Sequence, residues 1–144
     1  MTIDRENVRA ATSSDAATIS RHRYPDELEF RPTYSAWLKD AIPRGVYLGW
    51  LLEVEQTVIA GAGLVILEWG PTWHNPNPLA ARIVNVFVEP DFRRRGLARK
   101  LVNRCLEETQ TRNITHLHLS STDTARGLYE SLGFAEAKNQ MMRY

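Results

Sequence analysis

The sequence predicts a mixed α+β fold in a single domain, and three observations carry that prediction. Ile83, Val84, Val86, Phe87 and Val88 form an almost continuous apolar run, as a strand covered on both faces does. A turn rich in arginine follows, then a helix on which Leu97, Leu101, Cys105 and Thr109 recur every fourth residue. A further strand over residues 114–119 completes a strand–helix–strand unit, which reads as a right-handed parallel crossover. A length of 144 residues suits one domain with a real core.

The remaining elements fall in order around this unit. Residues 7–11 read as a first short strand, and Ser13, Ser14 and Asp15 offer N-caps for a helix running to about Arg21. A stretch without period, residues 22–30, leads to a second helix over 33–41 with Tyr34, Trp37, Leu38 and Ala41 on one face. Pro43 and Gly45 end it. Strands over 46–54 and 57–69 join through a tight turn at Glu55-Gln56, and Gly61 and Gly63 mark a bend or bulge. Residues 70–78 form a turn-rich loop with Trp73 and His74. Pro90 ends the central strand because it has no N–H for a ladder. Residues 124–132 form a short last helix, stopped by Gly133, and 140–144 an edge strand.

The turn at Arg93-Arg94-Arg95-Gly96-Leu97-Ala98 has the chemistry of an anion site. A helix start exposes backbone N–H groups without partners and carries the positive end of the helix dipole. Gly96 and Ala98 let a ligand approach the backbone, and the three arginines supply forked donors for phosphate oxygens. A phosphate or pyrophosphate fits. Neither the dinucleotide fingerprint nor the nucleotide P-loop is present.

From Val86 to Pro90, then through Arg93-x-x-Gly96-x-Ala98, the chain resembles the acyl-CoA motif of the GNAT superfamily of N-acetyltransferases, Q/R-x-x-G-x-G/A. Ala125-x-x-Leu128-Tyr129-x-x-Leu132-Gly133-Phe134 resembles that superfamily's A-x-x-L-Y-x-x-x-G-F segment. The resemblance implies a mostly antiparallel mixed sheet of six to seven strands with flanking helices, and acetyl-CoA as co-substrate without a metal. It implies that backbone amides from Arg93 to Ala98 hold the CoA pyrophosphate. Val86 and Val88 would bond the pantetheine arm through their main chain, and the N–H of Phe87 would polarise the acetyl carbonyl. Which of Arg93, Arg94 and Arg95 reaches the ribose phosphate stays open. Thr122 suits a helix cap and stands where many members carry Asn beside the cofactor. The resemblance gives Tyr129 the role of protonating the departing thiolate.

The base is less defined. Counting back from Tyr129 to the strand glutamate of some family members lands on Leu117, so His118, its neighbour His116, Glu68 and a water at Asn85 are the candidates. The acceptor, a primary amine of a small molecule or peptide, would meet parts of residues 22–30, 68–78 and 141–144. There Asp26, Glu27, Glu29 and Glu68 could receive a cationic amine, while Tyr24, Trp69 and Trp73 could pack a ring or an alkyl chain.

A formal net charge of +1 argues against nucleic acid, and no run approaches the length of a membrane span. Nor does the start resemble a signal peptide, so the cytoplasm is the expected location. The four histidines are scattered, which argues against a metal site, and Cys105 on an apolar helix face reads as a structural thiol. Trp50 and Trp69 suit a homodimer interface. The rival to an enzyme is an acetyl-CoA-binding module that senses the ligand and regulates a partner.

Overall fold

The computed structural model describes residues 7–144. Five strands appear among them: β1 (Asn7–Ala10), β2 (Tyr47–Val54), β3 (Thr57–Glu68), β4 (Leu79–Val88) and β5 (Leu117–His118). The helices are α1 (Ala16–Arg23), α2 (Arg31–Ala41), α3 (Leu97–Thr111) and α4 (Arg126–Ser131). The sheet follows chain order from β1 to β5; its first four strands are antiparallel and β5 lies parallel to β4. The mixed α+β class and the central strand–helix–strand unit are as the sequence predicts.

One core lies on each face of the sheet. On the first face, Ile19 of α1 and Leu38 and Ala41 of α2 bury against Tyr47 and Leu51. On the other, Leu97, Leu101, Val102 and Cys105 form the apolar stripe of α3 and pack on Leu52, Leu64 and Ile83. The β2–β3 hairpin turns at Glu55 (φ +51°) and Gln56 (φ +68°), two left-handed residues whose twist matches that of the paired strands.

The main irregularity lies in β4. Gly61 pairs with Phe87 and Gly63 with Val84, so Asn85 and Val86 together oppose the single residue Ala62. Asn85 has φ +58°. This bulge breaks the alternation of the strand. Val84 packs into the first core and the Asn85 side chain turns to the same face, while Val86 and Val88 pack toward α3. Pairing with β5 is limited to Ala81–Leu117 and Arg82–His118, ahead of the bulge, so the two parallel strands part beyond it.

Several boundaries differ from the sequence reading. The central strand starts at Leu79 rather than at 83, because residues 79–82 pair with Val65 to Glu68. The strand expected over 114–119 shrinks to two residues, which pair with Ala81 and Arg82. The irregularity expected at Gly61 and Gly63 lies opposite them, on β4. Residues 140–144 form no strand: Met141, Met142 and Tyr144 are exposed, with no apolar face to cover. The sheet therefore has five strands among the described residues rather than six to seven. Trp50 is not a dimer surface, because it is buried at 5% exposure under the Arg104 guanidinium, 4.7 Å from its ring.

Candidate active site

The turn after β4 is built for close approach. Arg94 (φ +65°) and Gly96 (φ +76°) are both left-handed, and Gly96 leads directly into α3. A side chain at Gly96 would be strained by that φ, although the space around it is open for 4 Å. The Arg93 Nε donates to the Val88 carbonyl at 2.9 Å and ties the turn to the strand end. Amides in the first turn of α3 lack intrahelical acceptors and face outward.

These residues border a groove of about 640 Å³ whose walls include Val86 and Val88 of β4, Gly96 and Ala98 at the start of α3, and Thr122 and Tyr129 across from them. Phe87, Leu97, Arg93 and Arg94 border it as well. So does Arg99, which the sequence reading did not single out; its place one helix residue beyond Ala98 was the available signal. Arg95 is not among the groove residues: its guanidinium lies 5.5 Å from the Phe92 ring centroid and donates to the Asp91 carbonyl. Bordered by a helix start, three arginines and an apolar strand, the groove fits a molecule that joins a pyrophosphate to an uncharged arm.

Tyr129 stands between this groove and a second cavity of about 480 Å³ beside β5. It is 8% exposed, and its ring meets Phe134 edge-on at 6.1 Å. Burial, with the Cys105 thiol nearby, raises its pKa above the usual 10, so the phenol keeps its proton at neutral pH. The Thr122 hydroxyl accepts from the Ala125 N–H at 3.3 Å, capping the turn that precedes α4. Burial pushes the Cys105 thiol up to about 12, too high for a nucleophile.

The base candidates separate. Arg82 lies 3.1 Å from the Nδ1 of His118, and because a guanidinium only donates, Nδ1 accepts and Nε2 carries the hydrogen. That Nε2 is buried without a partner among the described residues. Burial lowers the pKa of His118, helped by Arg82 and His116, so the ring is neutral and presents a donor. His116 lies 5.9 Å from it, and Trp69 approaches both rings. Glu68 is exposed opposite Leu79, seven residues along β4 from Val86, or roughly 23 Å at strand spacing. Among the described residues, no three His, Cys, Asp or Glu side chains converge as a metal site requires.

Across the bulge, on the face opposite the groove, a polar cluster surrounds Asn85. Its Nδ2 donates to the Tyr34 hydroxyl at 2.8 Å and the Tyr47 hydroxyl at 3.1 Å, and its Oδ1 accepts from Arg23 at 3.0 Å. The last turn of α1 runs along β4: Arg21 pairs with Glu89 at 3.0 Å, and the His22 ring stacks on Phe87 at 4.3 Å. The sequence reading ended this helix near Arg21, placed residues 22–30 near the acceptor without singling out His22 or Arg23, and missed Tyr47. Its one signal was the small-residue run Gly61-Ala62-Gly63, since any Cβ on Gly63 would collide with the Tyr47 ring.

A strand that bulges and parts from its parallel neighbour, followed by an arginine–glycine turn that opens a helix, defines a GNAT-type acyltransferase fold. The chain belongs to the Acetyltransferase (GNAT) family, which it matches over residues 14–134. A GCN5-related N-acetyltransferase from Ralstonia eutropha superposes with a TM-score of 0.87 at 27% identity, over 96% of this chain and 98% of that one. A predicted acetyltransferase with acetyl-CoA from Clostridium acetobutylicum gives 0.89 at 20% identity, over 96% of each chain. The ribosomal protein bS18-alanine N-acetyltransferase of Salmonella typhimurium is 47% identical over 60 residues; the match spans 40% of either protein.

Proposed function

We propose that the protein is an N-acetyltransferase that uses acetyl-CoA to acetylate a primary amine by direct attack. One observation carries this reading: the groove that begins at the arginine–glycine turn ends on Tyr129, a buried phenol that keeps its proton. Acetyl-CoA would supply the acyl group as a thioester, its pyrophosphate at the amides from Arg93 to Ala98 and its arm along Val86 and Val88.

The residues then divide the work. Phe87 pairs with Gly61, so its N–H belongs to the β3 ladder, and the main-chain N–H of Val86 or Val88, on the side of β4 that parts from β5, would instead meet the carbonyl oxygen. A neutral amine forms the new bond to the carbonyl carbon as the carbon–sulfur bond breaks. The sulfur takes a proton from the Tyr129 hydroxyl, and the proton shed by nitrogen leaves through solvent and returns to the phenolate. His118 serves as a donor in its observed bonding, because Arg82 occupies the lone pair that a base would need. The exposed Glu68 is too distant to act at the thioester, so solvent at the parted strands is the proposed route for the amine proton. The Salmonella relative is named for the alanine of a ribosomal protein. A peptide amine is therefore one acceptor class to test, beside small amines.

Replacing Tyr129 with Phe tests this reading. We expect kcat to fall about 100-fold, with acetyl-CoA affinity within about threefold of wild type. Unchanged turnover would remove Tyr129 from the mechanism. Tight acetyl-CoA binding without turnover on any amine, in wild type, would favour the sensing module; Leu117 at the position of the family glutamate is the feature that supports it.

A further inference from the structure

On the α1–α2 side of the parted strands stands a cation with no carboxylate of its own. Arg23 is absent from the ion pairs of the described residues, in contrast to Arg21 two residues earlier, which Glu89 pairs. Its guanidinium is nevertheless fixed. The carbon at its centre lies 5.4 Å from the Tyr24 ring centroid and 5.2 Å from that of Tyr34. Nε donates to the Tyr24 hydroxyl at 3.0 Å and Nη1 to the Asn85 carbonyl oxygen. Two ring faces, these two hydrogen bonds and a further one to the Tyr34 hydroxyl orient the fork, and its remaining N–H donors are left for a ligand. The anchor point is Asn85, the bulge residue itself, adjacent to Val86 and two residues from Phe87, where the thioester would lie. Arg82, also absent from the ion pairs of the described residues, sits three residues earlier on the same strand and spends its donors on His118 and Ser120.

We propose that Arg23 selects the acceptor: the favoured substrate is a primary amine that carries a carboxylate, held by the remaining donors of this guanidinium. The proposal rests on the acetyltransferase reading above and names its substrate class. A planar fork with two adjacent donors matches a carboxylate better than a point charge does. It also disfavours polyamines, whose second ammonium would face Arg23 across the same opening. Asp26, Glu27 and Glu29 do not neutralise the site; they are exposed on the loop beyond Tyr24, which Arg31 fastens through the carbonyls of Tyr24 and Pro25.

The test is steady-state thiol release from acetyl-CoA with matched acceptors: alanine, methionine and phenylalanine, each against its primary amide, with spermidine as the cationic control. Without recognition the amides should win, because their amines are less basic and more of each is neutral at pH 7. We expect wild type to prefer the acids at least 10-fold in kcat/KM. Arg23→Gln should abolish that preference through KM on the acids and leave the amides within threefold; Arg23→Lys should restore part of it. Preference of wild type for amides or spermidine would overturn the proposal. So would equal losses on acids and amides in Arg23→Gln, which mark a structural role. Acetyl-CoA binding without turnover on any of these acceptors would also refute it while leaving the cofactor site standing. Wild type that does not bind acetyl-CoA would instead remove the underlying reading.

Discussion

Tyr129 and His22 are both buried rings with a titratable group, and burial acts on them in opposite directions. It raises the phenol of Tyr129 and lowers the imidazole of His22 to about 4, with Arg21 adding to the effect. In each case the neutral form is favoured. For Tyr129 this keeps the phenol protonated through the physiological range, as the proposed role requires. For His22 it has a stability consequence. Between about pH 6.5 and 4 the unfolded chain binds a proton at this position that the folded chain does not, so stability rises with pH across that window and is lost as pH falls. The full contribution is on the order of 3 kcal/mol. His22→Phe keeps the stack on Phe87 and removes the titration. Denaturant melts at pH 4.5 and 7 should show a smaller difference for the variant than for wild type; an equal difference would assign the acid sensitivity to other groups.

At the scale of elements, the β4 bulge organises the site. It sends Asn85 to the α1–α2 face and Val86 to the groove, on the stretch of β4 beyond its pairing with β5. Asn85 tolerates its left-handed backbone because its side chain is bonded at both ends, to Arg23 and to the two tyrosine hydroxyls. Tyr47 reaches it only because Gly63 has no side chain. Gly63→Ala should therefore cost about 3 kcal/mol and weaken turnover more than Gly61→Ala, whose nearest neighbour is the movable end of Leu51. Equal effects in chemical denaturation and kinetics would dissociate Tyr47 from the site. These local features explain what was legible in advance. Apolar runs, the turn at Glu55-Gln56 and the four-residue stripe of α3 are written in neighbouring residues, and so is the arginine–glycine cradle. The bulge, the reach of α1 to Arg23 and the Asn85 cluster depend on three separate segments meeting, and no local period records that. The edge strand expected at 140–144 erred for the same reason, since apolar content alone does not provide a face to cover.

At the scale of the molecule, the proposed reading would put acyl donor and acceptor on opposite sides of one opening in a sheet packed on both faces. The groove after β4 belongs to the α3–α4 side and the Arg23–Asn85 cluster to the α1–α2 side, with the parted β4 and β5 between them. Each half has its own core, so a substitution on one side leaves the other intact: Leu101→Ala, fully buried in the α3 core, should lower stability by about 2–5 kcal/mol without changing acceptor preference. The most direct measurement is calorimetric titration of acetyl-CoA into wild type and into Ala98→Glu. Gly96 is the poorer position for this change, because its φ of +76° would add backbone strain to any loss of binding. A glutamate at Ala98 suits the first turn of a helix, and so preserves the fold, while placing a negative charge against the phosphates. Saturable binding by wild type, weakened at least 100-fold in a folded Ala98→Glu, is the predicted result. Equal binding by both proteins would put the ligand elsewhere, and no binding by folded wild type would contradict the acyl-CoA site itself.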